Sequence, residues 1–454
     1  MQEKRVIGFN EIEYASHTDV GVKRSHNQDS HAVMPAADEE HWQQCGHVFL
    51  VADGMGAHAV GELASKLAVD NIPHIFSKYV QEGPIVALRR AFVETNSTIF
   101  TRGKQNREFE GMGTTGTALV IRPEGAWVGH VGDSRAYRIR AGFIEQLSFD
   151  HSLLWELARR QRKSPEELTG IPANVIVRSL GPEATVQVDV EGPHPLEQGD
   201  VFLLCSDGLS GQVNDRVIGA VVSALPPEEA TRFLVHMANL QGGPDNTTVI
   251  VVRVGGESRS VNVDSHTEVV FPTSEVAEPV VPRFALLMYH LGRVPWAFVQ
   301  LALGILMAIV AIASYATELP VDILAFIVSG LLLLGGIVTL MVQSIRESRK
   351  DTNKPEERVL QVYRQTACPL DAAAYERLLE SARSLEEDIK GRAWEYDDKG
   401  YHDRLRQAAQ HFKHHRLRDA FRELCRAMLV LMEAVHLYRG RSEGFKPLWD
   451  KPRS

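Results

Sequence analysis

Three apolar runs in the first 255 residues meet an aspartate. Phe49–Ala52 runs into Asp53 and Gly54 (FLVADG), and Phe202–Cys205 leads through one serine into Asp207 and Gly208 (FLLCSDG). Asp245 stands just before the run TTVIVV, Thr247–Val252. Short, uninterrupted apolar runs bounded by turn residues predict buried strands. Between them lie glycine-containing turns and helical stretches, so residues 1–255 predict a mixed α/β domain.

The pattern then changes. Residues 256–293 begin polar, with scattered Pro and Val, and predict an extended linker. Two stretches follow within 294–344, Trp296–Ala316 and Ile323–Val342; each is about 20 residues long and free of charge, the length that spans a bilayer core. Buried core helices of that length usually keep a polar stripe, and these have none, which favours a two-span membrane hairpin. The turn between them (TELPVD) carries Glu318 and Asp322, whereas Arg283, Arg293, Arg346, Arg349 and Lys350 lie on the outer flanks. The positive-inside rule then places both flanks in the cytoplasm, at a cell membrane. Residues 345–454 predict a helical cytoplasmic tail, with Tyr375, Leu378, Ala382, Leu385 and Ile389, and then Leu417, Phe421, Leu424, Met428, Leu431 and Val435, at helical spacing. Such a tail is a candidate to dock a protein partner.

Composition sharpens this division. At 454 residues the chain is too long for one ordinary domain. Its net charge of −9 gives no support for nucleic-acid binding. The charge is unevenly spread: about +4 from residue 345 onward and about −13 before it. An acidic first part suits a domain that gathers divalent cations. The four cysteines (Cys45, Cys205, Cys368, Cys425) are far apart and form no CxxC, consistent with a reducing compartment. The first residues, MQEKRVIGFNEIEYAS, lack the apolar core of a signal peptide.

An aspartate at the end of a buried strand is rigidly held, and a following glycine lets the backbone turn or approach a ligand. Asp53, Asp207 and Asp245 would therefore converge at one sheet edge, where several carboxylates need cations between them to stay ionised. Hard cations such as Mg²⁺ or Mn²⁺ take oxygen ligands of this kind. Taken singly, each Asp-Gly is equally well a common turn dipeptide.

The order of the motifs decides between these readings. TDVGVKRSHNQDS, VADGMGAHAVGELAS, GMGTTGTALV, HVGDSRAYRIR, DHSL, NVIVRSLG, LCSDGLSGQV and GGPDNTTVIVV follow one another from Thr18 to Val252. In that order they resemble the metal-dependent serine/threonine protein phosphatases of type 2C (the PPM family), in its bacterial branch. The resemblance covers about residues 15–254 and neither the hairpin nor the tail. It implies an α+β fold, a four-layer α-β-β-α sandwich of two mainly antiparallel sheets flanked by helices. It also implies hydrolysis of phosphoserine and phosphothreonine by metal-activated water, using two or three Mn²⁺ or Mg²⁺ ions, on phosphoproteins made by a Ser/Thr protein kinase.

Carried over residue by residue, the resemblance makes Asp53 a bridge between two metals and Gly54 a carbonyl ligand. Asp207 and Asp245 complete the first metal's shell, Asp29 holds metal-bound water, and Asp133 binds a third ion with Asp207. Arg24 holds the substrate phosphate, and Asn246 lies beside the metals. Two positions depart from the common pattern: Gln28 stands where many members have Glu, and Met55 where eukaryotic members have a proton-donating His. His58 is as readily a solvent-facing helix residue as a replacement donor. The alternative to an enzyme is a catalytically weak scaffold that holds a phosphoprotein at the membrane. A full set of metal-binding aspartates speaks against it.

Overall fold

The structure, a computed structural model, describes residues 8–56, 60–105, 107–172, 174–255 and 360–442. The expected linker (256–293), the expected hairpin (294–344) and His58 lie outside the described residues. Among the described residues no helix is long and apolar enough to cross a membrane. The chain divides into two units, Ser265–Val359 and the remainder, and the elements below belong to the latter.

Two antiparallel sheets form its centre. The first has the order β1 (Ile12–Asp19), β11 (Thr247–Val254), β10 (Val201–Cys205), β7 (Arg135–Arg140), β8 (Phe143–Gln146) and β12 (Arg364–Ala367). The second runs β2 (Asp29–Met34), β3 (His47–Met55), β5 (Gly116–Arg122), β6 (Gly125–Val131) and β9 (Asp189–His194), with β4 (Gly113–Thr114) beside β3. Phe49, Val51, Leu119 and Ile121 of the second sheet share a core with Phe202, Leu204, Ile250 and Val252 of the first.

The outward faces are buried as well. Leu50, Ala52, Ala118 and Val120 pack with Ile72 and Phe76 of α2 (Val60–Tyr79) and with Leu88 and Phe92 of α3 (Pro84–Gln105). Leu203, Cys205, Val249 and Val251 pack with Ile218 of α6 (Asp215–Ala224) and with Phe233 and Leu234 of α7 (Pro227–Leu240). This is the expected α-β-β-α sandwich. Burial on both faces explains why the central strands read as continuous apolar runs rather than as alternation.

The C-terminal residues are built onto this sandwich. They form β12, α8 (Ala372–Gly391), α9 (Asp398–Lys413) and α10 (Leu417–Ser442). Strand β12 pairs antiparallel with β8, Arg364 opposite Gln146 and Ala367 opposite Phe143, and so covers an edge of the first sheet. Phe421, Leu424, Cys425 and Met428 of α10 join the core beneath α6 and α7. Arg418 and Arg422 donate to the carbonyls of Ser223 and Ala224 at the end of α6, at 2.7 and 2.8 Å, where a helix exposes unpaired carbonyls and negative dipole charge. Arg426 grips Glu229 with two hydrogen bonds of 2.7 and 2.9 Å, and Arg232 pairs with Glu433. A purely helical reading of the tail leaves out β12. Its sequence RQTA is short and mostly polar, and only its pairing with β8 makes it a strand.

Candidate metal centre

Antiparallel pairing brings many strand ends to one end of the sandwich. Asp53, near the end of β3, lies directly opposite Asp29, the first residue of β2. Asp207 opens the short helix α5 (Asp207–Ser210) just beyond β10, and Asp245 stands two residues before β11. Strands β10 and β11 pair with Cys205 opposite Val249, so both aspartates leave the first sheet at the same end. Asp133 lies between β6 and β7. Four of these carboxylates act on the fifth: Asp29, Asp207, Asp133 and Asp245 each raise the pKa of Asp53.

The backbone around them is tightly fixed. The Asp53 N–H donates to Thr115 Oγ1 at 2.8 Å, and its carbonyl accepts from Thr114 Oγ1 at 2.9 Å. A Cβ on Gly54 would lie 2.1 Å from the Gly61 carbonyl oxygen, and one on Gly208 would lie 2.0 Å from that of Asn246. The glycines that follow Asp53 and Asp207 therefore serve close backbone packing behind the carboxylates. Asn246, 3% exposed, ties three turns together: its Oδ1 accepts from the Gln28 N–H, and its Nδ2 donates to the Val20 and His26 carbonyls. Gln28 Nε2 donates to the Gly56 carbonyl at 3.3 Å.

Electrostatics set this end of the molecule apart. Burial pushes Asp29 up to about 7; Asp207 and Asp245 add to the rise, and hydrogen bonds from Thr248 and Ser206 oppose it. Burial also pushes Asp133 up to about 8, reinforced by Asp207 and Asp150. Asp53 rises well above the ordinary carboxylate range, by burial and then by its four acidic neighbours. Asp207 rises by burial and by Asp245. Arg24 touches only the rim of the cluster, donating to Asp245 Oδ2 at 2.8 Å.

Three buried carboxylate oxygens, Oδ1 of Asp29, Asp133 and Asp207, have no hydrogen-bond partner among the described residues. An uncompensated buried acidic cluster with orphaned oxygens fits hard divalent cations. Glu386, Asp398 and His402 in the tail are closer-knit, with one ligand atom each within 4.8 Å of the others. Glu386 there is already neutralised by Lys390 at 2.6 Å, so that trio is an ion-pair cluster. Among the described residues, no three of the five aspartates bring one oxygen each within 4.8 Å of one another.

The sequence motifs contain two supporting residues to which the reading assigned no role. Asp150 holds Arg135 by a two-pronged pair, with Nε and Nη2 reaching Oδ2 at 2.9 and 2.7 Å. Arg135 in turn lowers the pKa of both Asp133 and Asp207. The signal was an Arg two residues after Asp133 and an Asp beside the apolar end of the next strand pair, but neither reveals that they meet.

Comparison with known proteins bears on the same part of the chain. The profile of the family described as "Protein phosphatase 2C" matches residues 16–240. "Protein phosphatase PhpP" of Streptococcus pneumoniae is 36% identical over 248 residues, 53% of this chain and 96% of its own. "Serine/threonine protein phosphatase PstP" of Mycobacterium tuberculosis is 34% identical over 246 residues, 54% of this chain, and the match spans only 45% of that longer protein. A crystal structure of the PstP catalytic domain in complex with two manganese ions is 32% identical, covers 54% of this chain and 99% of its own, and superposes with a TM-score of 0.45. With its motifs in family order, its aspartates gathered at one end of the sandwich and near-complete coverage of a relative 36% identical, the chain belongs to the protein phosphatase 2C family of serine/threonine phosphatases.

Proposed function

We propose that the full chain hydrolyses phosphoserine and phosphothreonine in proteins, and that it needs Mn²⁺ or Mg²⁺ to do so. The observation that carries this reading is the buried acidic cluster with three orphaned oxygens and Arg24 at its edge. Asp53, Asp207, Asp245, Asp133 and the Gly54 carbonyl would hold the cations, with Asp29 beside them. Bound divalent cations supply neutralisation of the phosphate dianion and a lowered pKa for water. With that charge satisfied, Asp245 no longer needs Arg24, and the guanidinium fork is free to grip phosphate oxygens. Asn246 keeps the turns bearing Gln28 and His26 in register with Asp245.

A thiol mechanism finds no support in the four cysteines. All four are buried, and burial pushes Cys205 and Cys368 each up to about 12, so these thiols stay protonated near neutral pH. The scaffold alternative is not favoured, because a binding module gains nothing from a repulsive buried cluster. The test is release of phosphate from a phosphothreonine peptide by the full chain with Mn²⁺, with Mg²⁺ and with excess chelator. Undiminished hydrolysis in chelator would overturn the reading.

The membrane hairpin over 294–344 belongs to the same proposal. Its support is the pair of charge-free stretches with basic residues only on their outer flanks. The enzyme then works at the inner face of the membrane on phosphoproteins of a Ser/Thr kinase. Single cysteines placed at 318, 265 and 400, on a background lacking native cysteines, test this topology. An impermeant reagent should label intact cells only at 318, and labelling at 265 or 400 alone would reverse the arrangement.

A further inference from the structure

Residues 152–172 and 174–180 form an excursion whose two roots lie at the candidate metal centre. At one root the His151 N–H donates to the Gly132 carbonyl at 2.7 Å, beside Asp133. At the other, Leu180 and Thr114 exchange backbone hydrogen bonds of 2.9 and 3.0 Å, beside the hydroxyl that holds the Asp53 carbonyl. The excursion carries α4 (Leu153–Gln161) and an exposed cationic run, Arg160, Arg162 and Lys163.

The C-terminal strand reaches this excursion by two routes. Arg364 of β12 pairs with Glu166 on the excursion, while its Nε lies 3.3 Å from Oδ2 of Asp215, a buried residue that opens α6. One residue earlier, the Tyr363 ring packs edge-on against Phe149, with centroids 5.5 Å apart, and Phe149 in turn meets Trp155 of α4 at 5.4 Å. Residues about 200 positions away in sequence thus brace a segment rooted at the carboxylates.

We propose that Arg364, through Glu166, is a positioning residue that sets affinity for phosphopeptides; the inference rests on the phosphatase reading above. A small ester needs only the carboxylate cluster and Arg24. A peptide also meets the excursion at the rim, so loosening the excursion removes binding shared by ground and transition states and raises KM without lowering kcat.

The experiment compares the full chain with its Glu166→Gln, Arg364→Ala and doubly substituted variants, all with saturating Mn²⁺. Each single variant is expected to raise KM for a phosphothreonine peptide about fivefold, and the double variant no further, because the two residues form one bridge. kcat for the peptide and kcat/KM for p-nitrophenyl phosphate should stay within about twofold of wild type. Without metal, trypsin should cut after Arg162 or Lys163 about fivefold faster in the same variants, because the braced segment opens more often. An Arg216→Ala control, which loses only the pair with Asp371, should match wild type in that assay. Additive KM effects, equal losses on both substrates, or unchanged trypsin rates would overturn the proposal. If wild type cleaves neither ester, the phosphatase reading falls, and the trypsin rates still decide whether the bridge holds the excursion.

Discussion

The candidate metal centre and the tail interface are both rich in charge, and they handle it in opposite ways. At the tail, charges are matched: Arg426 with Glu229, Arg232 with Glu433, Arg216 with Asp371, and Arg418 and Arg422 with the carbonyls that end α6. At the metal centre, five aspartates face two arginines, Arg24 at the rim and Arg135 already held by Asp150, and four of the five are still pushed up by burial and by acidic neighbours. Packing geometry shows the same contrast: Cys368 fits over Gly219 of α6, where an added Cβ would meet its Sγ at 2.6 Å. A surface built only to hold itself together satisfies its charges internally. One built to bind cations leaves them unsatisfied, at a cost in stability that the ligand removes.

The sharpest way to break the comparison is to neutralise one carboxylate. Asp207→Asn should lower turnover by about 10³-fold or more, because it removes a charge from a shared cation site. In metal-free buffer the same variant should melt at or above the wild-type temperature, since it relieves repulsion. A clear loss of metal-free stability would mean that Asp207 is structural, like the tail pairs.

At the tail the expected effect is the reverse: stability falls and chemistry is spared. Gly219→Ala should cost about 1–2 kcal/mol net, as overpacking against Cys368 exceeds the helix-propensity gain of alanine. Adding Cys368→Ala should restore only part of it, because it removes the Sγ contact but leaves a Cβ at 2.8 Å. Urea unfolding measures both, and no loss in the single variant would show that the interface yields freely.

The pH dependence of stability should also separate the two regions. Asp29 and Asp133 titrate at about 7 and about 8 in the folded chain, against ordinary values near 4 in the unfolded one. Between these limits the folded chain holds protons that the unfolded chain has released. The stability this contributes is present at low pH and is lost as pH rises from about 4 through about 8. Thermal melting without metal should therefore fall across that window, and saturating Mn²⁺ should flatten the fall by taking the protons' place. A metal-free melting temperature that climbs with pH would contradict the assignment. The smallest effect is expected for Gln28→Glu, which adds one carboxylate to the cluster. The Mn²⁺ concentration for half-maximal rate should drop about threefold with kcat little changed. A rise in that concentration would show that position 28 stands apart from the cations.

The sequence by itself determined the parts whose physics is local. Apolar runs ending on Asp53 and Asp207, and the run that follows Asp245, marked strands and the carboxylates at their ends. The helical spacing of Tyr375 to Ile389 and of Leu417 to Val435 coincides with α8 and α10. Only the tertiary structure decided which groups meet. Asp29 faces Asp53 through a ladder register, Asn246 clamps turns about 220 residues away, and Asp150 captures Arg135. Strand β12 exists because an open edge of β8 receives it, and Arg364 then lies between Asp215 and Glu166. Short polar strands and ion pairs between distant residues leave no periodicity in a sequence. Their partners are chosen by the packing of sheets and helices, and the burial that lifts the aspartates' pKa values arises only once those layers have closed.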